Sequence, residues 1–234
     1  MEKAASNPAE AEDPSAGAGP GRPIVGQARH RWSAGGPIAR RQFARLVAGS
    51  GLLALFSSVA AAEEAGAVTA LSGEGRAARS GGTQLLSVGA PVFVGDTIET
   101  AEAARLAMLL GTDTRIHLGG RARLRIDKFV ARRGGVLTLG TGAMLFDGPE
   151  GGGATEVLAP FGKLAVRGTR FFAGPSQGRF SVFVARGAVD VSSADRTVSL
   201  RPGEGTDFEG LGAPPRAPVA WSEGRIREAL ASVL

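Results

Sequence analysis

Pro160-Phe-Gly-Lys-Leu-Ala-Val-Arg-Gly-Thr-Arg-Phe-Phe172 is the stretch whose reading decides the fold. Apolar residues alternate along it into Arg167-Gly168-Thr169, and a second apolar segment leaves on the far side. Alternation with period two is the signature of a strand with one buried face. A Gly set between β-branched residues marks a bulge or the close approach of another backbone. The stretch therefore predicts a tight crossing point inside an all-β domain. Gly168-Thr169 flanked by two arginines supplies no nucleophile with a base, so its conservative interpretation is structural.

Working outward, short apolar runs recur between turn-forming clusters. Upstream they are Val68–Leu71, Gln84–Leu86, Pro91–Val94, Thr97–Glu99, Arg105–Leu110, Thr114–Leu118, Arg121–Ile126, Val136–Leu139 and Ala143–Phe146. Downstream they are Arg179–Ala185, Ala188–Ser192, Thr197–Leu200 and Thr206–Phe208. Gly, Asp and Ser punctuate them, and no helical segment of 10 to 15 residues intervenes. The class is all-β, with many short strands in a sandwich, barrel or solenoid. The steady spacing favours a solenoid-like coil in which each turn covers the apolar face of the last. Pro-rich residues 213–220 form a stiff connector. Ser222 then caps a short C-terminal helix in 221–234, whose Ile226, Ala229, Leu230 and Val233 share one face.

The chain has 234 residues, no cysteine and a net charge of +5. Disulfides and Cys-ligated zinc are thereby ruled out. Of its 27 Lys+Arg and 22 Asp+Glu, 7 and 4 fall in residues 1–62, which leaves 20 and 18 for the remainder. A nearly neutral domain lacks the electrostatic footprint of a nucleic-acid binder. Residues 1–39, rich in Ala, Gly, Pro and Ser, read as a disordered n-region. Residues 40–62 resemble a twin-arginine export signal. Arg40-Arg41 is followed by Phe43, by a mildly apolar run from Leu46, and by Ala60-Ala61-Ala62, an A-x-A-like cleavage site before Glu63. A general secretory signal is the alternative route. Either predicts export to the periplasm, with the membrane involved only through an uncleaved signal segment.

Three separated pieces of the predicted domain, residues 63–212, resemble one family. They are Val94-Gly95-Asp96-Thr97-Ile98-Glu99-Thr100, Val166-Arg167-Gly168-Thr169-Arg170-Phe171, and Val184-Ala185-Arg186-Gly187-Ala188-Val189-Asp190-Val191 with Leu200-Arg201-Pro202-Gly203-Glu204. In order and spacing they are similar to the FecR domain. The resemblance implies an all-β periplasmic domain. The best-known members are anti-sigma regulators with a cytoplasmic sigma-binding helical segment, one membrane helix, and a C-terminal module that meets an outer-membrane receptor. Residues 1–39 and the residues beyond Gly212 are too short to match those end modules. The expectation is a stand-alone, exported, non-enzymatic FecR-like module that binds an envelope protein or polymer. The alternatives are a membrane-retained regulator of a sigma factor and, third, a cell-wall hydrolase.

Catalytic patterns in the sequence have plainer explanations. Gly174-Pro-Ser176-Gln-Gly178 matches G-x-S-x-G, but a strand follows it and no His lies downstream, so a hairpin is expected. Gly73-Glu-Gly75-Arg-Ala-Ala78 matches a dinucleotide fingerprint, but Gly81-Gly82 prevents the helix that such a site needs. His117 is the one histidine after the signal segment and reads as an exposed strand residue. Asp96, Asp113, Asp127 and Glu204 occupy turn positions or strand ends. No catalytic residue, cofactor or metal is predicted. The candidate interaction face is cationic: Arg121, Arg123 and Arg125 alternate on a strand, with Arg115 and His117 on a neighbour, and would suit an acidic partner. The remaining marked positions, Gly95, Asp96, Arg167, Gly168, Thr169, Gly187, Gly203 and Glu204, are read as structural.

Overall fold

The computed structural model describes residues 62–234. The predicted n-region 1–39 and the export-signal residues Arg40, Arg41, Phe43 and Ala60 lie outside the described residues, which begin at Ala62. From there the chain forms β1 (Glu64–Ser72), the hairpin β2 (Gly75–Arg79) and β3 (Gly82–Leu85), β4 (Pro91–Phe93) and β5 (Thr97–Thr100). Two hairpins follow, β6 (Arg105–Leu110) with β7 (Thr114–Leu118) and β8 (Arg123–Val130) with β9 (Gly134–Thr141), and then β10 (Met144–Asp147). Three more hairpins pair β11 (Ala154–Ala159) with β12 (Gly162–Arg167), β13 (Arg170–Ser176) with β14 (Arg179–Arg186), and β15 (Val189–Ser193) with β16 (Arg196–Leu200). β17 (Glu204–Phe208), β18 (Val219–Ala220) and α1 (Glu223–Ala231) complete it.

These strands make two nine-stranded sheets. The first has the order β18-β17-β14-β13-β10-β7-β6-β1-β4, and the second β16-β15-β12-β11-β9-β8-β5-β2-β3. Apart from β4 outside β1 and β3 outside β2 at one edge, both sheets progress in chain order, so the stepwise advance expected of a coil is present. Its unit, however, is a hairpin laid alternately on one sheet and then the other. Pairing is antiparallel except between β9 and β11, where Thr155 lies opposite Gly135 and Leu158 opposite Thr138.

Each strand's alternation supplies one half of the shared core. In β6, Leu106, Met108 and Leu110 are buried while Arg105 is exposed; in β12, Leu164 and Val166 are buried while Lys163 and Arg167 are exposed. Ile98, Leu124, Ile126 and Leu137 of the second sheet join Leu106, Ile116, Leu118 and Phe171 of the first in one apolar cluster. β2 and β18 go unpredicted from sequence. Gly75-Arg-Ala-Ala-Arg79 offers only alanine as an apolar face, and pairing with β5 is what buries Ala77.

A second apolar cluster lies where α1 meets the outer face of the first sheet. Leu145, Phe172 and Phe183 contact Trp221, Ala229 and Val233, with Ile226 and Leu230 at the margin. The Ser222 side chain accepts a hydrogen bond from the Arg225 N–H at 3.3 Å, the predicted cap. Among the described residues, no helix is long and apolar enough to cross a membrane.

Residues 160–172 are a crossing point, as their sequence predicts. β12 belongs to the second sheet and β13 to the first, and Gly168-Thr169 carries the chain between them. Gly168 has φ +62°, in the left-handed region. Thr169 is wholly buried, and its carbonyl accepts from the Gly148 N–H at 2.9 Å. The next crossing, from β14 to β15, packs directly on this one. An added Cβ at Gly187 (φ +79°) would lie 2.7 Å from Thr169 Cγ2 and 3.0 Å from the Gly168 carbonyl. Arg186 ties in the third neighbouring crossing, from β10 to β11: its Nη2 donates to Asp147 Oδ1 at 3.0 Å and to the Gly148 carbonyl at 2.5 Å.

Candidate interaction surface

The cationic face expected from sequence is divided by the fold. Arg115 and His117 lie on β7 in the first sheet, whereas Arg123 and Arg125 lie on β8 in the second. Gly119-Gly120 carries the chain between sheets instead of turning it into a hairpin, so the two sets cannot form one ladder. Arg121 departs as well. It is in the turn before β8, with φ +50°, and pairs with Glu102. Arg123 lies 3.4 Å from Glu99, its cross-strand neighbour, and Arg125 lies 3.0 Å from Asp127. These exposed pairs contribute little to stability, but they do neutralise the outer face of β8.

Arg115 and His117 acquire different company. Across the first sheet, Asp147 is registered between Arg115 on β7 and Arg170 on β13, and Arg170 is in turn opposite Arg186. Asp147 is 3.0 Å from Arg186 and 3.9 Å from Arg170. Two guanidinium groups thus engage one carboxylate, and Arg115 sits opposite it in the strand register. His117 is half-buried beside them, not an exposed strand residue. Burial, the charge of Arg170 and then that of Arg115 hold its pKa below the ordinary histidine value, against the opposing pull of Asp147.

The structural positions explain themselves at atomic level. Asp96, at the start of β5, is wholly buried. Arg79 binds it through both carboxylate oxygens, at 2.5 and 2.9 Å, and the Phe93 N–H donates to it at 2.9 Å. The Arg79 guanidinium also lies over the Phe93 ring, 4.1 Å from its centroid. Gly95 precedes it with φ +92° at the crossing from β4 to β5. Glu204 accepts from the Arg201 N–H at 2.9 Å and closes the turn through Gly203, φ +88°. Arg167 is exposed and donates to the Gly152 carbonyl at 3.3 Å. Ser176 ends β13, and the two-residue loop Gln177-Gly178 has positive φ at both positions, a type I′ hairpin. Among the described residues, no group of three His, Asp or Glu side chains is arranged to hold a metal ion.

One cluster went unread in the sequence. Arg225 of α1 reaches down to the first sheet, where Asp207 accepts at 2.5 Å, Ser181 at 3.0 Å and Ser176 at 3.2 Å, and its guanidinium lies 3.7 Å above the Trp221 ring. These residues come from four segments, and no local pattern announces their meeting. Burial alone would raise the Asp207 pKa, but hydrogen bonds from Arg225 and Ser181 and the charges of Arg225 and Arg179 outweigh it and hold the carboxyl below its ordinary value. The unfolded chain, with Asp207 near 3.9, therefore binds more protons as pH falls. The clamp's contribution is complete above the unfolded value and is lost as pH drops through the folded one. In a Trp32→Phe background, acid titration should red-shift Trp221 emission below about pH 4, and Asp207→Asn should remove that step. An identical acid transition in Asp207→Asn would assign the step to other carboxylates.

The family model described as FecR protein matches residues 96–190, from the buried Asp96 to Asp190 of β15. Residues 96–190 match the FecR domain. The match contains the Arg167-Gly168-Thr169 crossing and Gly187, so the FecR motifs coincide with the sheet-to-sheet passages. Two crystal structures of a candidate anti-sigma factor from Parabacteroides distasonis ATCC 8503, at 1.65 and 2.50 Å resolution, are similar, each with 17% identity and a TM-score of 0.48. Alignment covers 57% of this chain and 64% and 63% of theirs, so the chain spans under two thirds of their length. No curated protein matches the sequence.

Proposed function

We propose that this FecR-domain protein is a regulatory module of the cell envelope that acts from the periplasm by binding another protein, without catalysis. The FecR match over residues 96–190 carries the reading. The chemistry of the described residues supports it. Asp96, Asp113, Asp127 and Glu204, the carboxylates at turns and strand ends, are each engaged by Arg79, Arg132, Arg125 or the Arg201 N–H, which leaves them serving the fold. Arg115, Arg170 and Arg186, set against Asp147 and Glu150, leave a small excess of positive charge suited to an acidic partner surface. A second reading, a membrane-retained regulator of a sigma factor, rests on the same domain.

Mass spectrometry of the protein recovered from cell fractions separates the two. A periplasmic species beginning near Glu63 is the expected result, because the Ala60-Ala61-Ala62 sequence precedes it. Recovery only from membranes, with residues 40–62 still attached, would replace the released module with the retained regulator.

A further inference from the structure

Each sheet has two edges, and three of the four are defended against pairing with another chain. β4 has three residues and begins with Pro91; β18 has two and follows Pro214, Pro215 and Pro218; β16 carries Arg196, with Arg201 just beyond it. Short length, proline and charge are the devices that keep strand edges from associating. β3, Gly82-Thr-Gln-Leu85, is also short, but it lacks the other two devices. It contains no charge and no proline, all four residues are exposed, and Leu85 is 69% exposed with Val88 of the following loop at 63%. Among the described residues, no strand pairs with its outer side.

Its hydrogen-bonding parity is set by the hairpin. The two-residue loop Ser80-Gly81 makes Arg79 and Gly82 a bonded pair, and the Leu86 N–H donates to the Gly75 carbonyl at 2.9 Å. Gly82, Gln84 and Leu86 thus face β2. Thr83 and Leu85 turn their N–H and C=O groups outward. We infer that β3 is a self-association edge whose occupant is β3 of a second copy, antiparallel and centred on Gln84.

In that register Thr83 lies opposite Leu85 of the second copy and the reverse, so all four outward groups on each strand are satisfied by four hydrogen bonds. Gln84 meets Gln84 across the two-fold axis as a non-bonded pair, with Cα atoms about 4.5 Å apart. No like charges face one another within either strand. The same patch repeated on both subunits closes at two, without an open filament. A foreign strand could use the outward groups, but it would need its own match to the uncharged run; a second copy carries that match by symmetry. This inference is independent of what the FecR domain regulates.

Sedimentation of the full chain should show the mass-average rising from monomer toward twice that value with concentration. Leu85→Lys adds a charge to the exposed edge, and Thr83→Pro removes an outward N–H while leaving the β2 ladder intact; each should return the protein to monomer, with a melting temperature equal to that of the dilute, monomeric wild type. The chain's lack of cysteine allows a second readout. Gln84→Cys should form a disulfide-linked dimer in a glutathione buffer, since the expected Cα separation suits a disulfide. Ser199→Cys, on the defended β16 edge, should remain monomeric. A mass that stays at monomer throughout, a dimer that survives Leu85→Lys, or cross-linking of Gln84→Cys no faster than Ser199→Cys would each overturn the proposal.

Discussion

Gly187→Val is expected to lower the stability of this domain by about 3–5 kcal/mol, the sum of two independent penalties. The first is conformational. Gly187 has φ +79°, which costs a residue with a Cβ about 1–2 kcal/mol and a β-branched one more. The second is steric. The added Cβ would lie 2.7 Å from Thr169 Cγ2, in a place bounded by the buried Thr169 and the Gly168 carbonyl. Overpacking of this kind adds about 1–3 kcal/mol. Gly178→Ala separates the two penalties: it has φ +75° in an open hairpin with nothing within 4 Å, so only the conformational cost applies. Urea denaturation should therefore show a small shift of midpoint for Gly178→Ala and a several-fold larger one for Gly187→Val, with similar slopes. Equal shifts would mean that the packing of the two crossings against each other contributes nothing.

Arg79→Ala is expected to destabilise the fold more than Asp96→Ala, although the two residues form one ion pair. The Asp96 side chain is 0% exposed and that of Arg79 is 32% exposed. Removing Arg79 leaves a buried carboxylate with only the Phe93 N–H to balance it, for which a loss of about 3–5 kcal/mol is typical. Removing Asp96 leaves a guanidinium that can turn into water and one orphaned backbone N–H, a loss closer to 2–3 kcal/mol. The double variant should resemble Asp96→Ala alone, because the naked charge is gone. A thermodynamic cycle in urea measures all three. If Asp96→Ala proves the costlier single change, the carboxylate's bond to Phe93 N–H outweighs the ion pair in holding the β4–β5 passage.

Both predictions concern passages between the sheets, and these were only partly legible in the sequence. The bend at Gly168-Thr169 could be read locally, since a glycine interrupts two alternating runs. Nothing local says that Gly187, 19 positions later, packs on Thr169. Asp96 likewise resembles any turn aspartate until Arg79, 17 residues earlier, folds across it. The cationic face failed for a related reason. Alternation correctly puts Arg123 and Arg125 on one side of their strand, and Arg115 and His117 on one side of theirs. Whether those sides coincide depends on the Gly119-Gly120 link, which can close a hairpin or cross to the other sheet. Local propensity does not distinguish these outcomes, because both demand a permissive backbone at the same place.

By itself, then, the sequence determined what short-range physics controls: period-two burial that makes strands, glycine and polar clusters that end them, Ser222 as a helix cap, and the absence of cysteine. Tertiary structure alone decided which sheet receives each strand, which charges meet, and which edges stay open. Those outcomes depend on contacts between residues distant in the chain, such as Arg225 with Asp207 and Arg186 with Asp147, whose energies appear only once the hairpins have been laid in order across the two sheets.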